Sequence, residues 1–184
     1  MDMSDLIFEK FPAIKRLKRS CVITEKLDGT NAQINFDLDG NMLCGSRKRV
    51  ITPEDDNYGF ARWAYENKEK LFSVLGEGRH YGEWWGQGIQ RRYGMDKKVF
   101  SLFNSGRWHE NDLVDVDQLS VVPVLYAGEF TSEHVDEVMA QLKGYSVAAE
   151  GFKKPEGIVV YHSQIKQMFK VTFEHDESGK PYGA

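Results

Sequence analysis

The sequence predicts an α+β fold, with antiparallel β-sheets flanked by helices in one domain over residues 1–184. Three observations predict it. Apolar and polar residues alternate over 21–47, interrupted by Asp28-Gly29 and Asp39-Gly40, the turn dipeptides of hairpins. Helix-spaced apolar stripes run over 57–75 and onward from Ser132. Two short apolar runs, 156–162 and 166–173, then read as closing strands. Strands and helices alternate along the chain, but the hairpins set the strands antiparallel, which excludes a doubly wound parallel sheet.

Taken in order, residues 5–18 place Leu6, Ile7, Phe11, Ile14 and Leu17 at a loosely helical spacing that Pro12 interrupts. From Cys21 to about residue 47 the two Asp-Gly turns predict a three-stranded antiparallel meander. Its middle strand alternates Ala32, Ile34, Phe36 and Leu38 with polar neighbours. A helix over 57–75 turns Phe60, Ala64, Leu71, Phe72 and Leu75 to the core, and Gly76 and Gly78 end it. Strands follow at about 80–86, 97–103 and 121–127. The helix from Ser132 has Glu133 in its first turn and Val135, Val138, Met139 and Leu142 as its stripe.

Composition narrows the class. Hydrophobic residues make up 41% of the 184, with 11 Phe, 8 Tyr and 4 Trp, enough for a packed core and too many for a disordered chain. No apolar run approaches the ~20 residues of a membrane span. Acids occupy the first residues, where a signal peptide needs basic ones. Cys21 and Cys44 sit in strand-like apolar stretches and read as small buried residues. A soluble, cytoplasmic protein is expected. With 24 Lys and Arg against 28 Asp and Glu, the net charge of −4 argues against general grip on nucleic acid, so such contact requires a local basic cluster.

Chemistry concentrates in Glu25-Lys26-Leu27-Asp28-Gly29-Thr30-Asn31. A lysine at the end of an apolar strand, beside a turn bearing an acid, suits a nucleophile, since an amine attacks only when neutral and needs neighbours that make it so. By itself the segment reads more simply as a solvated lysine before a hairpin. Downstream residues change that reading. Gly45-Ser46-Arg47-Lys48 is basic, and Glu83 interrupts the aromatic strand Tyr81–Gly86. The strand 97–103 ends on Phe103. Glu156-Gly157 opens a buried-type strand, and Lys170 lies on the next one. A carboxylate on an apolar strand is costly unless it is paired or holds a ligand.

In this order the pieces resemble the covalent nucleotidyltransferases: ATP-dependent DNA ligases, RNA ligases and mRNA capping enzymes. Lys26-Leu27-Asp28-Gly29 matches the first motif, Glu83 the third, Glu156-Gly157 the fourth and Lys170 the fifth. Asn31 stands where DNA ligases and capping enzymes usually carry arginine, and Glu-Lys-x-x-Gly-Thr-Asn is similar to the RNA ligase 2 family. The resemblance implies a nucleotidyltransferase (adenylation) domain with ATP and Mg²⁺ or Mn²⁺ as cofactors. The activity it implies joins RNA 3′-hydroxyl and 5′-phosphate ends, at a nick, through a lysine–AMP intermediate, in a protein of phage or prophage type. A minimal DNA ligase and a nucleotide- or RNA-binding module without turnover are the alternatives.

Roles follow from the resemblance. Lys26 is the nucleophile. Glu25 contacts the adenine edge by a backbone or turn route, because strand alternation puts its side chain opposite Lys26. Arg47 and Glu83 hold the ribose, Phe103 stacks on adenine, Asp28 and Glu156 hold the metal, Asn31 orients metal or phosphate, and Lys170 pairs with the α-phosphate. Three departures stand out. Met168 and Thr172 flank Lys170, so one of the two fifth-motif lysines is missing, with Lys166 as the nearest substitute; Asn104 replaces the family's aspartate; and the 14 residues after Lys170 are too few for a carboxy-terminal OB-type or helical domain, so a protein partner is expected to supply the clamp on RNA. Lys48, Arg49, Arg91 and Arg92 are the candidate RNA contacts, the last two in a glycine-rich loop that also reads as merely solvated. The tryptophans read as core, and His80, His109, His134, His162 and His175 have no metal-ligand spacing.

Overall fold

A computed structural model describes residues 6–174; His175 and the expected surface tail through Ala184 lie outside the described residues. Two sheets make the frame. The first has four antiparallel strands in the order β10-β9-β1-β8: β1 (Ser20–Lys26), β8 (Val124–Glu129), β9 (Gly157–His162) and β10 (Gln167–Thr172). The second has the order β4-β3-β2-β5-β6-β7: β2 (Thr30–Phe36), β3 (Met42–Gly45), β4 (Val50–Ile51), β5 (Gly78–Gly86), β6 (Lys98–Leu102) and β7 (Leu119–Val121). Its pairs are antiparallel except β6 with β7.

The expected meander is therefore half right. Asp39-Gly40 does turn β2 into β3: Gly40 takes φ 79°, and the Asp37 carboxylate accepts the Asp39 and Asn41 N–H groups. Asp28-Gly29 is no hairpin. It carries the chain from one sheet to the other, because Leu27 is buried at their junction and Gly29 lies against the Trp84 carbonyl, where a Cβ would collide. The expected strand over 121–127 is likewise divided at Pro123, with β7 in one sheet and β8 in the other.

Helices cover both sheets. The predicted helix over 57–75 is two, α1 (Phe60–Glu66) and α2 (Lys68–Leu75), broken at Asn67, whose side-chain amide donates to the Trp63 carbonyl. The Asp56 carboxylate accepts the Ala61 and Arg62 N–H groups at the start of α1. Phe60, Trp63, Ala64, Leu71 and Leu75 pack on Ile34, Phe36, Trp84 and Phe100 of the six-stranded sheet. A short α3 (Glu110–Leu113) had no clear sequence signal. In α4 (Ser132–Leu142), capped by the Thr131 hydroxyl, Val138 and Leu142 pack on Cys21, Ile23, Ile158 and Val160 of the four-stranded sheet. A third cluster, Leu27, Trp85, Tyr93, Val99, Val122 and Ala149, fills the junction. Both cysteines are free and buried.

Residues 6–16 form neither helix nor strand, contrary to their spacing. Pro12 removes an N–H and disfavours the helical conformation of its predecessor. No core receives the apolar side chains; Ile7 is 92% and Phe8 90% exposed.

Candidate active site

Strand pairing decides which side chains can meet. On β1 Cys21 and Ile23 pack against α4, Glu25 is buried on the same side of the strand, and Lys26 faces the other way. Lys26 lies opposite Gly157 of β9, Gly157 lies opposite Thr172 of β10, and Lys170 lies opposite Val159. Directly paired residues share a face, so Lys26, Thr172 and Lys170 are on one side of this sheet. Gly157 permits the close pairing: its φ is 152°, and a Cβ would strike the Val171 carbonyl.

At the edge of that face Lys26 Nζ donates to Glu156 Oε1 at 2.7 Å, with both side chains mostly covered. The other oxygen, Glu156 Oε2, is buried without a hydrogen-bond partner. Such an atom is costly to leave unpaired, and a cation is one partner that would satisfy it. Glu83 reaches the same place from the second sheet. It accepts the Gly29 N–H at 3.0 Å and the Asn31 amide at 2.9 Å, across the Asn31–Glu83 strand pair. The first motif is thus tied to the third by its own backbone.

Burial pushes the Glu83 carboxyl up to about 7, with the Asn31 amide, the Gly29 N–H and the Lys26 charge pulling the other way. The folded chain holds this proton between pH 4.5, the ordinary value, and about 7, where the unfolded chain has lost it. The stability tied to it is therefore complete below pH 4.5 and is lost as the pH rises through 7, by at most about 3 kcal/mol. Glu83→Gln keeps the shape without titrating, once the Asn31 amide turns over. Urea unfolding at pH 5 and pH 8 should show wild type losing stability relative to this variant; a constant difference refutes a buried proton on Glu83.

Other expected residues sit elsewhere than the sequence suggested. Glu25 is 1% exposed, and its carboxylate is consumed by a turn far along the chain: Ser146 Oγ donates to Oε1, and the Val147 and Ala148 N–H groups donate to Oε2. Its side chain holds that turn, which leaves the backbone as its route to a ligand. Phe103, 37% exposed, follows β6, and Tyr81, 49% exposed, precedes Glu83 on the same strand face. Arg47 and Lys48 are exposed and have no ion pair among the described residues, whereas Arg49 is bound to Asp55 at 2.8 Å and to the Asp56 carbonyl. Asn104 accepts the Arg107 N–H inside a turn. Lys166 sits in the turn between β9 and β10 at φ 53°, outside the strand that bears Lys170.

The β5–β6 loop holds the main correction. Arg91 does not point at solvent: its Nε donates to Asp28 Oδ2 at 2.9 Å. Tyr93 Oη accepts the Asp28 N–H at 2.8 Å, and its ring packs on Trp85 and Phe152. Gln90, Arg92 and Tyr93 all have positive φ, a backbone cost of about 1–2 kcal/mol each. Burial of Tyr93 and Ile89 offsets it. Arg92 remains exposed. Only the flanking glycines hinted at so contorted a loop.

Trp63, Trp84 and Trp85 are core, as expected, while Trp108 lies partly buried under Arg107. His80 and His162 bond backbone carbonyls, and His134 bonds the Tyr126 hydroxyl. No group of three or more His, Cys, Asp or Glu side chains suited to a metal occurs among the described residues. Nor, among them, is any helix long and apolar enough to cross a membrane.

Comparison with known proteins bears on the fold and the family. A variant of Naegleria gruberi RNA ligase solved with ATP and Mn matches with a TM-score of 0.64 and 21% identity, over 86% of this chain and 51% of that one. A second variant, with AMP and Mn, gives 0.61 and 20%, over 89% and 53%; a third, without ligand, gives 0.61 and 22%, over 89% and 52%. At such identity the likeness is one of fold, and this chain spans about half the length of those structures. No curated protein matches the chain. The RNA ligase family model matches residues 19–172, from the start of β1 through the end of β10 and thus every residue placed above in the site. The chain belongs to the RNA ligase family.

Proposed function

We propose that this chain is the adenylating domain of an ATP-dependent RNA ligase, with Lys26 as the nucleophile. The observation that carries the reading is the 2.7-Å contact of Lys26 Nζ with Glu156 on a sheet face shared with Lys170. Spacing supports it. The Naegleria gruberi protein has been solved with a particular lysine and a particular glutamate replaced, and these are as far apart in sequence as Lys26 and Glu83. A second glutamate and lysine replaced there are as far apart as Glu156 and Lys170.

In the first step Lys26 Nζ, after losing a proton, attacks the α-phosphorus of ATP. The N–P bond forms, the bond to the β-phosphate bridging oxygen breaks, and pyrophosphate leaves. The Lys26–Glu156 contact supports Glu156 Oε1 as the acceptor of that proton, and Lys170 pairs with charge on the α-phosphate. The AMP then passes to an RNA 5′-phosphate, and a 3′-hydroxyl displaces it. Arg47 and Glu83 hold the ribose, and Phe103 stacks on the adenine. Asp28 and the unpaired Glu156 Oε2, with Asn31 nearby, fit a hydrated Mg²⁺ or Mn²⁺, which keeps most of its waters and takes few protein oxygens. Such an ion supplies screening of the phosphate charge. Of the candidate RNA contacts, Lys48 and Arg92 are the cations left to meet RNA phosphates.

The test is the intact mass of the purified protein after ATP and Mn²⁺: it rises by one AMP, on the peptide containing Lys26. An adduct on Lys48 or Lys170 refutes the assignment. For the substrate, a nick with RNA or DNA on its 3′-hydroxyl side decides, because a 2′-hydroxyl can be read there. Asn31 supports a preference for RNA; equal sealing of a DNA 3′ end makes the protein a DNA ligase. An adduct with no sealing points to a partner that supplies the clamp.

A further inference from the structure

Arg91 belongs to the β5–β6 loop of the six-stranded sheet, yet its side chain reaches three other segments. Nε donates to Asp28 Oδ2 at 2.9 Å, in the crossover after Lys26. Nη1 donates to the Lys154 carbonyl at 3.1 Å, two residues before Glu156. Nη2 pairs with Glu174 at 3.5 Å, just past the strand that carries Lys170. We infer that Arg91 is a positioning residue for lysine adenylation, its guanidinium fixing the Asp28, Glu156 and Lys170 segments relative to one another.

The inference rests on the reading proposed above and adds to it a residue that the first, third, fourth and fifth motifs do not contain. A planar fork with donors in fixed directions can span three partners; a lysine ammonium at the same place cannot hold that geometry. All three guanidinium nitrogens are engaged, so the group is not free to bind an RNA phosphate, which was its sequence-based assignment. Asp28 is held twice by this loop, at its carboxylate by Arg91 and at its backbone by the buried Tyr93 hydroxyl. The same loop keeps Gln90, Arg92 and Tyr93 at positive φ to do so. Strain concentrated beside a reacting group is the pattern of a part held in place for chemistry. In-line attack is sensitive to misplacement of about 1 Å, so loosening three segments at once acts on rate.

Adenylation is followed by intact mass at varied ATP in wild type, Arg91→Ala, Arg91→Lys, Asp28→Asn and the Asp28→Asn/Arg91→Ala double variant. Arg91→Ala should lower the rate at saturating ATP by about 10²-fold while KM for ATP stays within about threefold. Arg91→Lys should recover little of the loss. Because the Asp28 contact is one of the three that Arg91 makes, the loss in the double variant should be smaller than the product of the two single losses. Should Arg91→Ala unfold, Arg91→Lys carries the same test, since it keeps the charge. A raised KM with unchanged maximal rate would make Arg91 a nucleotide contact; multiplied effects in the double variant, or wild-type rates for Arg91→Lys, would remove its positioning role. Wild-type protein that forms no adduct refutes the ligase reading, and this role with it; an adduct in wild type combined with any of those three results overturns Arg91 alone.

Discussion

Lys26→Arg should give no adenylated protein at any ATP concentration. Arginine keeps the positive charge and can keep the carboxylate partner, so a purely structural ion pair with Glu156 would survive the change. A guanidinium stays protonated at any pH the protein tolerates and offers no lone pair for attack. Labelled AMP on the denatured chain should therefore fall to background, the largest effect expected of any single substitution here. The fold should hardly change, because arginine keeps a cation beside the largely covered Glu156 carboxylate and leaves no buried charge unpaired. A melting point within about 4 °C of wild type would show this. Retained labelling in Lys26→Arg would mean that the nucleophile is another residue.

Lys26, Glu83 and Lys170 stand out in the sequence as charged residues on apolar strands, and Asp28 and Glu156 as acids at strand ends, but it was the family resemblance, not local order, that joined them into one site. Alternation along one strand also separated Lys26 from Glu25 correctly. What did not show was which strands pair. Asp28-Gly29 carries the same local signal as Asp39-Gly40, yet only the second is a hairpin. The difference lies in contacts with Trp84 and Glu83, more than fifty residues away. Glu25 illustrates the same limit. Its neighbourhood in sequence points to the nucleotide, while its carboxylate is claimed by Ser146 and the two N–H groups after it. Nothing near Ser146 marks it as a partner. Arg91 looked like a solvated loop cation because its three partners come from segments that only the tertiary fold assembles. Residues 6–16 erred the other way, a helical spacing with Pro12 inside it and no surface to pack on.

Lys170→Ala should slow lysine adenylation by about 10²–10³-fold, and Lys166→Ala by no more than about twofold. The register decides the ranking. Lys170 is opposite Val159 on the face that carries Lys26, one pleat from the Thr172–Gly157–Lys26 row. Its side chain is exposed on that face and free to meet a phosphate. Lys166 belongs to the turn, at φ 53°, with its N–H bonded to the His162 carbonyl, and it cannot replace a strand residue on that face. With threonine at 172, the proposed function leaves the α-phosphate contact to Lys170 without a second lysine on its strand face. Losing a charge-assisted contact made mainly in the transition state typically costs about 2.7–4 kcal/mol, which sets the expected factor. Thr172→Lys supplies the complementary test. It restores the family's pair on a face already shared with Lys26, and it should raise the adenylation rate of the Lys170→Ala variant above that of Lys170→Ala alone. A slow Lys166→Ala beside a fast Lys170→Ala would mean that the β9–β10 pairing is shifted in solution.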